Sequence, residues 1–232
     1  MLKVAVVTIH PRFIESYFDF GVISSAHEKG KAQISVIDLR TYSVDKHGSI
    51  DDHPYGGGDG MVLRAEPLSQ AVMSLSEKPH VILTSPSGKL WSQDDAVRFS
   101  TMEKPIMIIC GRFGGVDERF IEKYVDEEYS IGDFILSGGE IPALLMIDSM
   151  LRFIPGVLGN KDSVLCDSFA VGCKGILEHP QYTRPQIFEG EEVPAILLSG
   201  DHKKIAEWQE KEAIKRTRQY RPDLIPLLNK KF

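Results

Sequence analysis

Three short apolar runs, each leading into a glycine-bearing turn, constrain this chain more than any other feature. Residues 81–84 run into Ser85-Pro86-Ser87-Gly88, and residues 106–110 run into Gly111-Arg112-Phe113-Gly114-Gly115. Further on, Ser130-Ile131-Gly132-Asp133 leads through residues 134–136 into Ser137-Gly138-Gly139-Glu140. Two more β-rich runs, 4–9 and 34–39, alternate with helix-like stretches at 14–26, 67–75, 94–102 and 141–152. That alternation predicts an α/β sheet covered on both faces. The helix at 141–152 has Pro142 in its first turn, and Asp148 interrupts its apolar face. In open α/β sheets, ligands bind beyond the carboxyl ends of the strands. Glycine there lets a ligand approach main-chain groups with no Cβ in the way. A single turn of this kind can be only a turn, whereas three in one sheet point to a cofactor.

The dinucleotide and P-loop fingerprints are both absent, and the nearest lysine, Lys89, follows a single glycine. An oxidoreductase or NTPase therefore loses ground, and the expected cofactor is not a polyphosphate. Seven histidines form no i,i+4 pair, and Cys110, Cys166 and Cys173 form no C-x-x-C pair, so neither a zinc site nor a disulfide framework is expected. No run approaches the length of a membrane span, and the short apolar N-terminus, followed by His10-Pro11-Arg12, reads as a first strand. A cytoplasmic protein without a membrane partner is the simplest expectation.

Between 155 and 186 the periodicity disappears, and Gly159, Gly172, Gly175, Pro180 and Pro185 punctuate a linker-like stretch. Its length exceeds ordinary loops, which marks it as functional or flexible. A helical pattern resumes after Ser199-Gly200-Asp201, carrying Ile205, Trp208 and Ala213 on one side, and predicts a small helical second domain over 199–232. The net charge of −6 argues against a nucleic-acid partner. Yet Lys211, Lys215, Arg216, Arg218 and Arg221 face only Glu212 in the run 211–221. On charge alone that run is a solvated helix face. The stretch Asp51-Asp52-His53-Pro54-Tyr55-Gly56-Gly57-Gly58-Asp59-Gly60 reads equally well as a surface loop or as part of a site.

Taken in order, Pro54-Tyr55-Gly56-Gly57-Gly58, Cys110-Gly111-Arg112, Asp117-Glu118-Arg119, Ser130-Ile131-Gly132-Asp133, Leu136-Ser137-Gly138-Gly139-Glu140, Asp167-Ser168-Phe169, Tyr182-Thr183-Arg184-Pro185 and Leu197-Leu198-Ser199-Gly200 resemble bacterial tRNA (guanine-N1)-methyltransferases. Arg152-Phe153-Ile154-Pro155-Gly156-Val157-Leu158-Gly159 belongs to the same series, and the likeness covers nearly the whole chain. It implies a SPOUT-type α/β fold with a mostly parallel sheet, a deep trefoil knot that bends the cofactor, and a small C-terminal helical domain. The implied divisions are a cofactor-binding domain at 1–158, a linker at 159–186 and a tRNA-binding domain at 187–232. The implied reaction moves a methyl group from S-adenosylmethionine to N1 of the guanine at tRNA position 37, just 3′ of the anticodon.

By the same resemblance, Ser85 and Pro86 line the adenosylmethionine pocket together with Gly111, Arg112, Phe113 and Gly115. Ser130, Ile131, Gly132, Leu136, Gly138, Gly139 and Pro142 complete it. Asp167 becomes the general base and Arg152 its cationic partner, in a homodimer whose active sites lie at the interface. Asp52, His53, Tyr55, Ser168, Arg184, Lys215, Arg216 and Arg218 become contacts to the tRNA anticodon stem-loop. The basic run thereby gains a role as a phosphate-contacting surface. The chain departs from the family where Phe113 and Gly114 replace a usual tyrosine and glutamate, where Cys166 replaces a common acid, and where Asp59 replaces a common proline. Magnesium assistance, which the family associates with that glutamate, is open here. Competing readings are a SPOUT enzyme for another RNA base and a non-catalytic RNA-binding relative.

Overall fold

The computed structural model describes residues 1–44, 46, 48–159, 167–170 and 174–229, with side chains described as far as residue 226. The chain divides into two compact units, Met1–Gly159 and Asn160–Phe232. Cys166 and Cys173 lie outside the described residues.

In the first unit the elements follow in the order β1 (Leu2–Thr8), α1 (Pro11–Glu15), α2 (Gly21–Glu28), β2 (Ala32–Asp38), β3 (Asp51–Asp52), β4 (Val62–Leu63), α3 (Ala65–Met73), β5 (His80–Leu90), α4 (Gln93–Ser100), β6 (Ile106–Cys110), α5 (Glu118–Tyr124), β7 (Glu127–Ser130) and α6 (Glu140–Leu151). Five strands form one sheet in the order β2-β1-β6-β5-β7, and every neighbouring pair is parallel. Parallel neighbours need long crossovers, which the intervening helices supply. β3 and β4 make a separate antiparallel ribbon.

The period of two along each strand sorts the core into two layers. Val4, Val6, Ile106 and Ile108 point to one face and pack with Ile14, Ile23, Phe99, Met146 and Met150 from α1, α2, α4 and α6. Ala5, Val7, Met107 and Ile109 point to the other and pack with Leu68, Val72 and Phe120 from α3 and α5. Burying each such Val, Ile, Leu, Phe or Met side chain contributes about 1.5–3 kcal/mol. With both faces covered, the central strands read as continuous apolar runs, which is why they were legible.

Two expectations are corrected. The helix expected over 14–26 is split: α1 ends at Glu15, turns occupy residues 16–19, and α2 starts at Gly21, whose φ of +62 breaks the helical path. The strand expected at 134–136 does not form; Phe134, Ile135 and Leu136 are exposed in a loop between Gly132, at φ +149, and the Gly138-Gly139 pair. The edge strand is Glu127–Ser130 instead. Its acidic sequence hid it. Arg98 forks onto Glu127 at 2.9 and 2.7 Å, and His80 Nε2 lies 2.9 Å from the same carboxylate, so the first of the two charges that mask the strand is paired.

The second unit holds the hairpin β8 (Ile187–Phe188) and β9 (Glu191–Glu192), and the helix α7 (His202–Tyr220). Glu189 and Gly190 close the hairpin at φ 52 and 89, the twisted two-residue turn that suits antiparallel strands. The Asp201 carboxylate caps α7 by accepting from the Lys204 N–H at 3.2 Å. Of the face of α7, Ala213 and Thr217 are buried.

Candidate functional site

The three glycine turns meet where β5 bulges after Thr84 and where β6 and β7 end. β5 pairs with β7 on both sides of an irregularity between Thr84 and Lys89, and this bulge throws Ser85-Pro86-Ser87-Gly88 out of the ladder. Gly88 sits flat against β7, where a Cβ would lie 2.3 Å from the Tyr129 nitrogen. The bulge is pinned by side chains: Ser87 Oγ donates to Glu128 at 3.1 Å and lies 2.7 Å from Ser85 Oγ.

The other two turns are stitched together. The Gly139 N–H donates to the Gly111 C=O at 2.8 Å, and Arg112 bridges to Gly138. Thr84 Oγ1 accepts from the Gly111 N–H at 3.1 Å and donates to the Ile109 C=O at 3.1 Å. The stitch needs glycine at 139, since a Cβ there would stand 1.9 Å from Thr84 Oγ1 and 2.8 Å from the Cys110 Cα. Beneath the turns, the buried Glu140 carboxylate accepts from Thr8 Oγ1 at 2.8 Å and from Arg112 at 3.3 Å. Burial, and then the nearby Glu140, push the Cys110 thiol well above its ordinary range, so it is an inert core group.

Between the turns lies a cleft of about 480 Å³. All thirteen residues expected to hold a cofactor line it: Ser85, Pro86, Gly111, Arg112, Phe113, Gly115, Ser130, Ile131, Gly132, Leu136, Gly138, Gly139 and Pro142. Ser87 and Ser137, within two of the glycine turns, line it as well, and so do Thr84 and Tyr129, which were missed because they carry no glycine signal and gain their place only from strand pairing. Among the described residues no lysine lines the cleft, and Arg112, which does, is committed to Glu140. Apolar side chains alternating with glycine backbone suit a planar heterocycle with a small polar tail better than a triphosphate.

The chain that leaves the glycine-rich loop is bonded to residues that line this cleft. The Gly114 N–H donates to the Met61 C=O at 2.8 Å, and Leu63 pairs with Val116. Asp52 turns back to accept from the His53 N–H at 2.8 Å, while His53 is exposed and Tyr55 stands 99% exposed among glycines at positive φ. Arg152 ends α6, ten residues beyond Pro142, which at 1.5 Å per residue places it about 15 Å along the helix from the cleft. Its field draws down the Asp148 carboxyl, although burial dominates and leaves that group above its ordinary value.

In the second unit, Asp167 opens a turn in which its C=O accepts from the Ala170 N–H at 3.1 Å. Ser168 Oγ accepts from the Glu178 N–H at 3.0 Å. Arg184 is exposed, and Arg216 lies 5.8 Å from the Tyr220 ring. Lys215 and Arg218 line an open groove of about 520 Å³ along α7, with Lys215 also 3.3 Å from Glu212. Among the described residues, no three His, Cys, Asp or Glu side chains gather as metal ligands. Among them too, no helix is long and apolar enough to cross a membrane.

The sequence of residues 2–227 matches the family model described as tRNA (Guanine-1)-methyltransferase TrmD. A tRNA (guanine-N(1)-)-methyltransferase of Dictyoglomus turgidum is 48% identical over 226 residues, spanning 97% of this chain and 90% of that one. Proteins of the same name from Listeria welshimeri and Thermosipho africanus are 46% and 45% identical, covering 99% and 100% of this chain and 95% and 92% of their own. With cleft, sheet order and full-length similarity in agreement, the chain belongs to the tRNA (guanine-1)-methyltransferase family.

Proposed function

We propose that this protein transfers a methyl group from S-adenosylmethionine to N1 of the guanine at tRNA position 37, immediately 3′ of the anticodon. The observation that carries this reading is the convergence of three sequence-distant glycine turns on one cleft that, among the described residues, has no lysine and no uncommitted arginine. Such a lining accepts an adenine ring against Ile131, Leu136 and Pro142 and leaves main-chain groups for its edges. Bound adenosylmethionine supplies a methyl group made electrophilic by its sulfonium. The stitching of the turn at Gly138-Gly139 onto Gly111-Arg112, with β6 laid between β1 and β5, supports the family's deep trefoil knot, an arrangement rare among folds.

Guanine N1 carries a proton that must leave as the methyl arrives, so the reaction needs a base. Asp167 takes that proton, and Arg152 donates toward O6, where charge develops. The family resemblance supports a homodimer whose sites are completed by a second copy, with Asp167 delivered across the interface to the cleft and to Arg152. Phe134, Ile135 and Leu136 at the cleft, with Ile141 and Leu145 on α6, expose apolar surface suited to that contact. A position-37 guanine stacked in its loop must be extruded to reach the cleft. The exposed Asp52, His53 and Tyr55, together with Ser168, Arg184, Lys215, Arg216 and Arg218, serve the anticodon stem-loop. A tRNA substrate puts the reaction in the cytoplasm.

The test is transfer of labelled methyl groups to unmodified tRNA transcripts carrying guanine or adenine at position 37, with and without magnesium. Labelling of the guanine transcript alone, mapped to N1, is expected. The magnesium comparison measures what Gly114, in place of the family's glutamate, does to metal dependence. Adenosylmethionine binding with no transfer to any tRNA would overturn the proposal in favour of a binding-only relative.

A further inference from the structure

The two faces of α7 do different things. Lys211, Lys215 and Arg218 look outward along the open groove, while Ala213 and Thr217 are buried on the opposite side. What covers the buried side is the segment that carries Asp167. Thr217 Oγ1 donates to the Ala213 C=O at 2.7 Å and accepts from the Leu177 N–H at 3.1 Å. Leu177 follows Ile176, whose C=O accepts from the Phe169 N–H at 2.9 Å, and Phe169 lies two residues from Asp167. Glu178 closes the same loop through Ser168 Oγ at 3.0 Å.

Phe169 itself holds φ +70, a conformation that a bulky side chain keeps only when its surroundings impose it. Two restraints do so. One is the bond to Ile176, and the other is Arg221, the residue that ends α7, whose guanidinium lies 5.7 Å from the Phe169 ring. Asp223 fixes that guanidinium in turn, with contacts at 3.0 and 2.7 Å. The helix that offers cations to RNA thus also sets the backbone of the carboxylate turn.

From this we infer that Thr217 and Arg221 are positioning residues for the methyl transfer: they clamp the Asp167 turn to the buried side of α7, so that docking of tRNA on the outer face aims the carboxylate. The inference rests on the reading of Asp167 as general base. Neither residue meets substrate in it. Both act through the turn.

The experiment measures single-turnover methyl transfer at saturating adenosylmethionine and tRNA, alongside the tRNA dissociation constant, for Thr217→Val, Thr217→Ser, Arg221→Gln and Arg221→Lys. Valine preserves the volume of threonine and removes the acceptor for Leu177. A base displaced by about 1 Å slows transfer by about 10- to 100-fold, which is the loss expected for Thr217→Val and, to a lesser degree, Arg221→Gln. For Thr217→Val, Thr217→Ser and Arg221→Lys, which keep every cation of α7 and its end, the tRNA dissociation constant should stay within about twofold; the rate at saturating tRNA is the readout for Arg221→Gln. Serine at 217 and lysine at 221 should restore the rate.

Each substitution is repeated in an Asp167→Asn background. A clamp that works through the carboxylate causes no further loss there, whereas a general structural defect multiplies with it. Multiplying losses, a loss confined to tRNA affinity, or wild-type rates for both Thr217→Val and Arg221→Gln would overturn the inference. Should Thr217→Val fail to fold, the exposed Arg221 pair decides the matter. A wild-type rate for Asp167→Asn alone would overturn the base assignment, a separate result.

Discussion

At the scale of single residues, the cleft depends on places where a side chain is forbidden as much as on the side chains present. Gly139 is the sharpest case, because its missing Cβ makes room for Thr84 Oγ1 and for the main chain at Cys110 and Gly111. Backbone on two sides cannot yield. Gly139→Ala should therefore destabilise the protein by about 1–3 kcal/mol, as overpacked cores do. It should also weaken adenosylmethionine binding, because the stitched turns form the cleft wall. Urea denaturation and calorimetric titration would measure both, and an unchanged urea midpoint would contradict the packing argument. Gly139 was legible in the sequence as part of a turn. Its reason was not, since Thr84 is 55 positions away in the chain. Glu140 shows the same limit: it reads as an ordinary first-turn acid, yet it is buried under Thr8 and Arg112.

Among the elements, the contact of β5, α4 and β7 holds the bulge that lines the cleft. Ser92 and Asp95 form a capping box at the start of α4, of the kind in which the loss of one cap costs about 1 kcal/mol. The buried Asp95 carboxylate also accepts from Lys89, just past the bulge, and from the Tyr129 hydroxyl, each at 2.8 Å. Burial alone would raise the Asp95 carboxyl, but the hydrogen bonds from Lys89, Ser92 and Tyr129 outweigh it and hold the group below its ordinary 3.8. Glu127 follows the same logic: Arg98, Tyr129 and His80 overcome burial and keep it below 4.5. Folded-state values depressed in this way add stability that is complete above the unfolded values and lost as pH falls through the folded ones. The melting temperature should thus hold level from neutrality to about pH 5 and fall below about pH 4, and Asp95→Asn should make that acid decline shallower. An equally steep decline in the variant would count against the assignment. Nothing in the local pattern of residues 127–130 announced a strand, because alternation was hidden by two glutamates whose partners sit on α4 and β5.

For the molecule as a whole, the proposed dimer makes a prediction that a monomeric site cannot share. A subunit carrying Asp167→Ala keeps its cleft, and one carrying Leu136→Trp keeps its carboxylate but has its cleft filled. If the carboxylate crosses between copies, each hybrid dimer has one complete site. Random pairing would then recover about a quarter of the wild-type activity from two inactive parents. No recovery above either parent would mean that Asp167 serves its own cleft. What the sequence determined by itself was local: the β-α alternation, the apolar strands of the sheet centre, the three glycine turns, the basic side of α7. These are properties of neighbours in the chain, set by periodicity and by the backbone freedom of glycine. Only the tertiary structure decided how the three turns are stitched to one another around the cleft, that the acidic residues 127–130 form the edge strand, and that Thr217 and Arg221 hold the Asp167 turn. Those facts depend on strand order and on contacts between residues dozens of positions apart, and no local pattern encodes which distant partner a hydrogen bond will find.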